Sequence, residues 1–253
     1  KMVIGADGAR SKVARQNIDG ADQMKCVFAY HEVIKSPPAN DLGFNPARCD
    51  VFYQGKLSPD FYAWIFPHGQ TSSIGLGSAN KGFPLRETVA EMRNELGLDL
   101  CETVRKEGAP IPLKPLKRWD NGRDVLVAGD AAGVVAPASG EGIYYAMICG
   151  QIAAETANEF VLNGKVSTLK KARKRFMKQH GRVFWILGVM QHFWYSSDKR
   201  RERFVDMCND QDVQQLTWQA YMNKKLVRAR PLAHIKIFLK DTAHLLGLRP
   251  VAR

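Results

Sequence analysis

Gly129-Asp130-Ala131-Ala132-Gly133 closes an apolar run, and Pro137-Ala138-Ser139-Gly140-Glu141-Gly142 follows it before a helical pattern begins. This order sets a carboxylate at a strand end, beside a glycine-rich loop that feeds a helix. Asp130 is then placed to accept hydrogen bonds from sugar-type hydroxyls. Gly133, Gly140 and Gly142 let backbone approach a flat ligand with no Cβ in the way. The helix start offers unpaired N–H groups and a partial positive charge to an anionic edge. Gly-Asp-Ala-Ala-Gly alone equally describes a strand-to-helix turn with an Asp cap, and the longer loop-to-helix string favours the ligand. A second such turn lies near the start, where Met2-Val3-Ile4-Gly5 runs into Asp7-Gly8-Ala9-Arg10. By itself Asp7-Gly8 is also what a hairpin turn looks like. The third string is Pro59-Asp60-Phe61-Tyr62-Ala63-Trp64-Ile65-Phe66-Pro67. On a strand Tyr62, Trp64 and Phe66 share one face. They would line either an apolar channel or, as aromatic stripes usually do, a plain sheet core.

The elements that must hold these residues follow from pattern. Segments 25–34, 49–55, 61–66 and 71–78 are short, aromatic and β-branched, and separated by Pro, Gly and Asn turns, which predicts an antiparallel sheet. Leu85, Val89, Met92 and Leu96 recur at helical spacing, predicting one amphipathic helix over 85–98. Segment 123–130 is continuously apolar at its centre, as expected of a strand covered on both faces. A long helix is predicted over 142–162, with Ala146, Gly150, Ala153, Ala154 and Ala157 letting it lie close to a sheet. Beyond Ser167 the pattern is helical, broken near Ser196-Ser197 and at Pro231.

Composition narrows the classes. The chain has 253 residues, 45% apolar and 25% charged, values of a globular protein with a real core. Five scattered cysteines with no Cys-x-x-Cys pair argue against a zinc site and a disulfide framework, and fit a reducing cytoplasm. The six histidines show no ligand spacing, and no metal is expected. No apolar run near the basic segment approaches the roughly 20 residues that a membrane span needs. The strand-like opening, with no initiator Met before it, predicts a chain truncated at its N-terminus. Residues 1–164 hold 17 basic and 19 acidic side chains, whereas 165–253 hold 20 and 6. The net charge of +12 therefore belongs to the last third. There, basic clusters at 170–175 and 199–203 bracket Phe184-Trp185 and Phe193-Trp194-Tyr195. A solvated helix face, contact with an anionic membrane surface and nucleic-acid binding all fit basic and aromatic residues. No reading helix or RNA-binding signature supports the last.

Asp7-Gly8 and Gly129-Asp130 together resemble the Asp-Gly and Gly-Asp fingerprints of the FAD-dependent oxidoreductases related to aromatic hydroxylases. That group's Gly-x-Gly-x-x-Gly is absent here, in keeping with truncation. The string from Pro59 to Pro67 is similar to the P-x-x-Y-x-W-x-F-P string of geranylgeranyl reductases, matched at every fixed position. Ser139–Ala146 and Arg203–Cys208, with Tyr221 downstream, resemble the chlorophyll and bacteriochlorophyll branch, and the likeness runs the length of the chain. The resemblance implies an α/β fold: a Rossmann-like FAD-binding remnant in 1–20 and 115–165, an inserted antiparallel-sheet substrate domain in 21–114, and a basic helical region in 166–253. It implies FAD held by Asp7, Gly8, Arg10, Gly129, Asp130, Gly133, Gly140, Gly142 and Ile143, with NADPH as electron donor. Tyr62, Trp64, Phe66 and Pro67 would meet the isoprenoid substrate, a free diphosphate or a pigment ester reduced stepwise to the phytyl form. The setting implied is cytoplasmic, peripheral to a photosynthetic membrane. No residue declares itself the proton donor; Tyr144 and Tyr145 lie nearest the expected flavin edge. The alternatives are an FAD-dependent aromatic monooxygenase and a non-catalytic basic module binding membrane or nucleic acid.

Overall fold

The computed structural model describes residues 1–39 and 43–223. Pro231, His234 and His244 lie outside the described residues. Two sheets organise the chain. In the first, β1 (Val3–Gly5) and β7 (Val125–Val127) pair in parallel, Ile4 opposite Leu126. Parallel pairing needs a long crossover, and here the intervening hundred-odd residues form the second sheet. The strand predicted over 123–130 is cut to three residues because Gly129 turns left-handed (φ 60°) and starts a short 3₁₀ turn, Gly129–Ala132. Gly133 ends that turn at φ 75°, and a Cβ there would sit 2.5 Å from the Lys114 carbonyl oxygen, so only glycine fits.

The second sheet is antiparallel in the order β3-β4-β5-β2-β6. Its strands are β2 (Cys26–Lys35), β3 (Asp50–Phe52), β4 (Ala63–His68), β5 (Thr71–Ser78) and β6 (Thr103–Pro112). Strand β6 was not predicted. It is an edge strand, mostly exposed, with Arg105, Lys106 and Glu107 and with prolines at 110 and 112, features that protect an edge and hide the apolar alternation. Helix α2 (Leu85–Glu95) covers one face through Val89 and Met92, which pack with Ile34, Ile65, Ile74 and Leu76. It stops short of the expected end because Gly97 adopts φ 68°.

Helix α1 (Lys12–Asn17) follows β1, and α3 (Ile143–Asn163) follows the glycine loop. The side of α3 turned inward carries Tyr145, Cys149, Ile152 and Thr156. The predicted small-residue stripe is only partly the packed side: Ala153 is buried and Ala146 lies against Gly129, but Gly150 and Ala154 are exposed. At 100° per residue Gly150 and Ala154 turn away from the core that Tyr145 and Cys149 enter. Helix α4 (Lys170–Trp194) lies against α3 through Ala172, Phe176, His180 and Phe184, spaced by four. The chain breaks at Ser196-Ser197 and continues as α5 (Asp198–Met207) and α6 (Gln211–Asn223). A third cluster joins the parts: Val27 of the sheet, Phe61, Ala138 of the loop, Trp194, Tyr195 and Met207.

Candidate functional site

The loop between Asp130 and α3 folds back on itself, with Ala136 N–H donating to Glu141 O and Gly140 N–H to Ala136 O. At its turn Ala138 adopts φ 65°, a left-handed conformation that costs energy for a residue with a Cβ. Three side chains hold it there. Gln191 Oε1 accepts from Ala138 N–H (3.3 Å), Tyr195 Oη donates to Ala138 O (3.0 Å), and Tyr62 Oη donates to Ser139 O (2.6 Å). The loop is thus gripped from α4 and from the lead-in to β4. Neither Gln191 nor the bond made by Tyr195 was foreseen from sequence; an isolated Gln and a Tyr among aromatics carry no signal until α4 is docked.

Asp130 is half-buried, and burial raises its carboxyl above the ordinary range. Among the described residues that carboxylate accepts no hydrogen bond, and it lies 3.4 Å from where a Cβ on Gly142 would sit. Helix α3 opens at Gly142 with no side-chain cap, so its first N–H groups face this region. A Cβ on Gly140 would meet Phe61 at 3.2 Å and the Tyr62 hydroxyl at 3.7 Å. A hydroxyl-seeking carboxylate, a helix start and a loop of glycines fit the polyol and ring edge of a flavin. Ile143, at the helix start, is 81% exposed.

At the other turn, Gly8 is left-handed (φ 79°). Asp7 is taken up locally: its oxygens accept from Ser11 Oγ and from the N–H groups of Lys12 and Val13, closing the start of α1. Slight burial opposes this, but the hydrogen bonds win and hold the Asp7 carboxyl below its usual range. Arg10 is exposed and lines a concavity of about 610 Å³ with Arg15, Lys25 and Lys81, a setting suited to an anion.

The aromatic stripe lies on the face of the second sheet away from α2. Trp64 pairs with Gly75 and lies over it, only 9% exposed, between Tyr62 (centroids 5.8 Å) and Phe66 (5.9 Å, stacked). A Cβ on Gly75 would be 2.5 Å from the indole and 2.7 Å from Tyr30 O. The indole Nε1–H donates to Ser73 Oγ (3.1 Å), which also bonds His31 Nδ1 (2.8 Å), while His31 Nε2 meets Glu107 (3.1 Å). Sequence spacing did not reveal this polar chain, because its members come from β2, β4, β5 and β6. Pro67 does not join the stripe: it pairs with Ser72 and alternates to the face of Ile65. Through Tyr62, the stripe is on the same side of the molecule as the loop.

The basic region is only partly a free surface. Arg201 is buried, donating to Pro59 O, Tyr195 O and Asp198, and Lys171 and Arg175 pair with Glu159. Trp194, Tyr195 and Phe184 are core, whereas Trp185 is 69% exposed. Tyr144 and Tyr145 pack against His180 of α4, and Tyr145 also against Phe176 and Phe184. Cys149 is buried, which pushes its thiol up to about 11. No helix of the described residues is long and apolar enough to cross a membrane.

No family model matches the chain. Among curated proteins it is 54% identical over 99% of its length to the geranylgeranyl diphosphate reductase of Rhodobacter capsulatus and covers 63% of that protein. It is 38% identical over 97% of its length to the same-named protein of Synechocystis sp., covering 61% of it. Among solved structures, a geranylgeranyl bacteriochlorophyll reductase-like protein of Thermoplasma acidophilum superposes with a TM-score of 0.76 at 20% identity, over 98% of this chain and 61% of that one. The chain thus spans about three-fifths of the length of these relatives.

Proposed function

We propose that the chain belongs, over its own length, to the geranylgeranyl reductase family and is the greater part of a flavin-dependent reductase of prenyl double bonds. The observation that carries the reading is the Tyr62–Ser139 hydrogen bond, which joins the aromatic stripe to the loop between Asp130 and α3. A ring seated at that loop would face Tyr62, Trp64 and Phe66. FAD would supply the hydride there, replenished from NADPH.

The chain's residues would bind and orient. Asp130 would accept from the ribityl hydroxyls, and that contact would relieve a carboxylate that burial now penalises. The α3 N-terminus would hold the electron-rich edge of the ring. Gln191, Tyr195 and Tyr62 keep the loop in its strained turn, so the ring's seat is formed before it binds. The stacked rings exclude water and hold an isolated alkene, whose poor reactivity makes alignment the main source of rate. Residues 1–20 and 115–165 would be parts of the FAD-binding domain, 21–114 the substrate domain and 166–253 the basic helical region. The exposed edge of β1 and the exposed Ile143 and Met147 of α3 suit packing by further elements of the dinucleotide fold. Lys170, Lys174, Lys178 and Arg182 of α4, without an acidic partner among the described residues, and the exposed Trp185 would suit peripheral contact with an anionic membrane.

The test incubates full-length protein, FAD and NADPH with geranylgeranyl diphosphate and with the geranylgeranyl pigment ester. Products gaining two hydrogens per step are expected. Oxygen-dependent gain of one oxygen atom on an aromatic substrate would instead make it a monooxygenase. Trp64→Ala is expected to cripple turnover with flavin content intact, and Asp130→Ala to lower flavin content; equal flavin loss in both would misplace the stripe.

A further inference from the structure

The polar chain beside Trp64 runs across four strands. Trp64, Gly75, His31 and Glu107 are successive register partners on β4, β5, β2 and β6, so all four positions lie on the stripe face. Gly75 lets the row close up: where its Cβ would stand, the Trp64 ring and the His31 Cβ both come to 2.5 Å. Ser73, on the same face of β5, joins the indole to the imidazole through its bonds to Trp64 Nε1 and His31 Nδ1. Exposure rises along the row. Trp64 and Ser73 are buried, whereas the side chains of His31 and Glu107 are 25% and 47% exposed. A ring of the stripe is thus tied to a group that meets solvent.

Donor counting gives the chain a direction. An indole N–H only donates and a carboxylate only accepts. With His31 neutral, every link is made when Trp64 donates to Ser73, Ser73 to His31 Nδ1, and His31 Nε2–H to Glu107. A protonated imidazole donates from both nitrogens. Ser73 Oγ must then accept from His31 and Trp64 together, and its own hydrogen leaves the chain. The charged donor takes the stronger bond, so the indole's bond is the one weakened. Among the described residues, Glu107 is the charged group in contact with His31, and Arg105 holds the other Glu107 oxygen (3.2 Å). Lys35, paired with Glu102, and His68 lie at the far end of the same face, and β5 brings no charge. The bond matters because Trp64 stacks on Phe66 (22°) and stands edge-on to Tyr62 (65°). Its Nε1 contact selects one setting of an otherwise broad torsion, and both ring contacts follow that setting.

We propose that Ser73 and His31 are positioning residues that hold the Trp64 indole against the bound prenyl chain, and that protonation of His31 loosens it. The inference rests on the proposed reduction at the stripe. The test uses full-length protein loaded with FAD, its tryptophans labelled at the indole nitrogen. The Trp64 N–H signal is the one that Trp64→Phe removes. It is expected to move between about pH 5 and 8, where imidazole changes charge. It should stay still in His31→Asn, whose amide oxygen can accept from Ser73 but takes up no proton. With NADPH and geranylgeranyl diphosphate, Ser73→Ala is expected to lower kcat about tenfold at unchanged KM and flavin content, as misalignment does. Ser73→Thr should restore most of it. Turnover by His31→Asn relative to wild type should rise roughly tenfold from about pH 8 to pH 5. An indole signal that titrates alike in His31→Asn, a Ser73→Ala kcat within about twofold of wild type, or flavin lost in step with kcat would overturn the inference. Wild-type enzyme that reduces no prenyl chain, while the indole still titrates through His31, would remove the proposed reaction and keep the coupling. Reduction by an enzyme whose indole signal is indifferent to His31 would do the reverse.

Discussion

The two faces of the antiparallel sheet are built from the same strands in opposite ways. The face under α2 is closed by branched apolar residues and one buried ion pair: Arg93 donates to Glu32 (2.5 Å), to Thr103, and to the carbonyls of Leu98 and Cys101, while Tyr30 donates to Glu32 from the other side. Burial alone would raise the Glu32 carboxyl, but hydrogen bonds from Tyr30, Arg93 and Lys106 outweigh it and hold it below its usual range. The other face sets Gly75 and Ser73 opposite Trp64 and Phe66, and Gly77 beside Phe61, so that the rings meet positions with little or no side chain. The first face satisfies its polar groups and ends there. The second leaves aromatic edges and Tyr62 reaching toward a strained loop, the usual mark of a surface kept for a ligand.

The contrast can be broken in order of expected effect. Arg93→Ala takes from Glu32 its buried partner, leaving only Tyr30 and the exposed Lys106, and should cost about 3–5 kcal/mol, read from denaturant unfolding; a loss under 1 kcal/mol would mean that the pair is solvated. Gly75→Ala drives a Cβ into the indole and the Tyr30 carbonyl, and about 1–3 kcal/mol is expected to go, with a change in Trp64 fluorescence. Trp64→Phe keeps an aromatic ring but loses the bond to Ser73, for about 0.5–1.5 kcal/mol.

The smallest effect separates the two carboxylates by sign. A carboxyl held low in the folded state stabilises above its unfolded pKa and stops doing so as pH falls through the folded value. Glu32→Gln should therefore be less stable than wild type at neutral pH, with the gap closing in acid. Asp130 is raised instead, so its penalty is absent below the ordinary carboxylate range and grows as pH rises through the folded value. Asp130→Asn should be the more stable protein at neutral pH, equal to wild type in acid, and poorer at retaining flavin. Unfolding curves across pH 3–8, on the order of the carboxylate range and above, would show both signs.

Much of this was legible in residue order. Strand β5 falls on 71–78 as its β-branched and small residues predict, and α2 and α3 begin within a residue of their predicted starts. Strand β6 was not, since charge and proline at an edge erase the alternation that marks a strand. Nor was the fate of the basic residues: composition counts Arg201 as surface charge, while α5 buries it against Pro59 and Tyr195. Pro67 is grouped with the stripe by the resemblance, and strand alternation sends it to the other face.

Short-range chemistry, then, was determined by the sequence itself. Turns that demand glycine, the period-two aromatic stripe and the helical spacing of α2 depend on neighbours a few residues apart, where geometry is set by covalent connection. The tertiary structure alone decided which of those pieces meet. Gln191, Tyr195 and Tyr62 converge on Ala138 and Ser139 from positions more than fifty residues away in either direction. One concavity of the surface is lined jointly by Gly181 and Gly188 of α4 and by residues 113–115 and 137. Contacts at such separations are selected by packing of whole elements, and no local pattern encodes them.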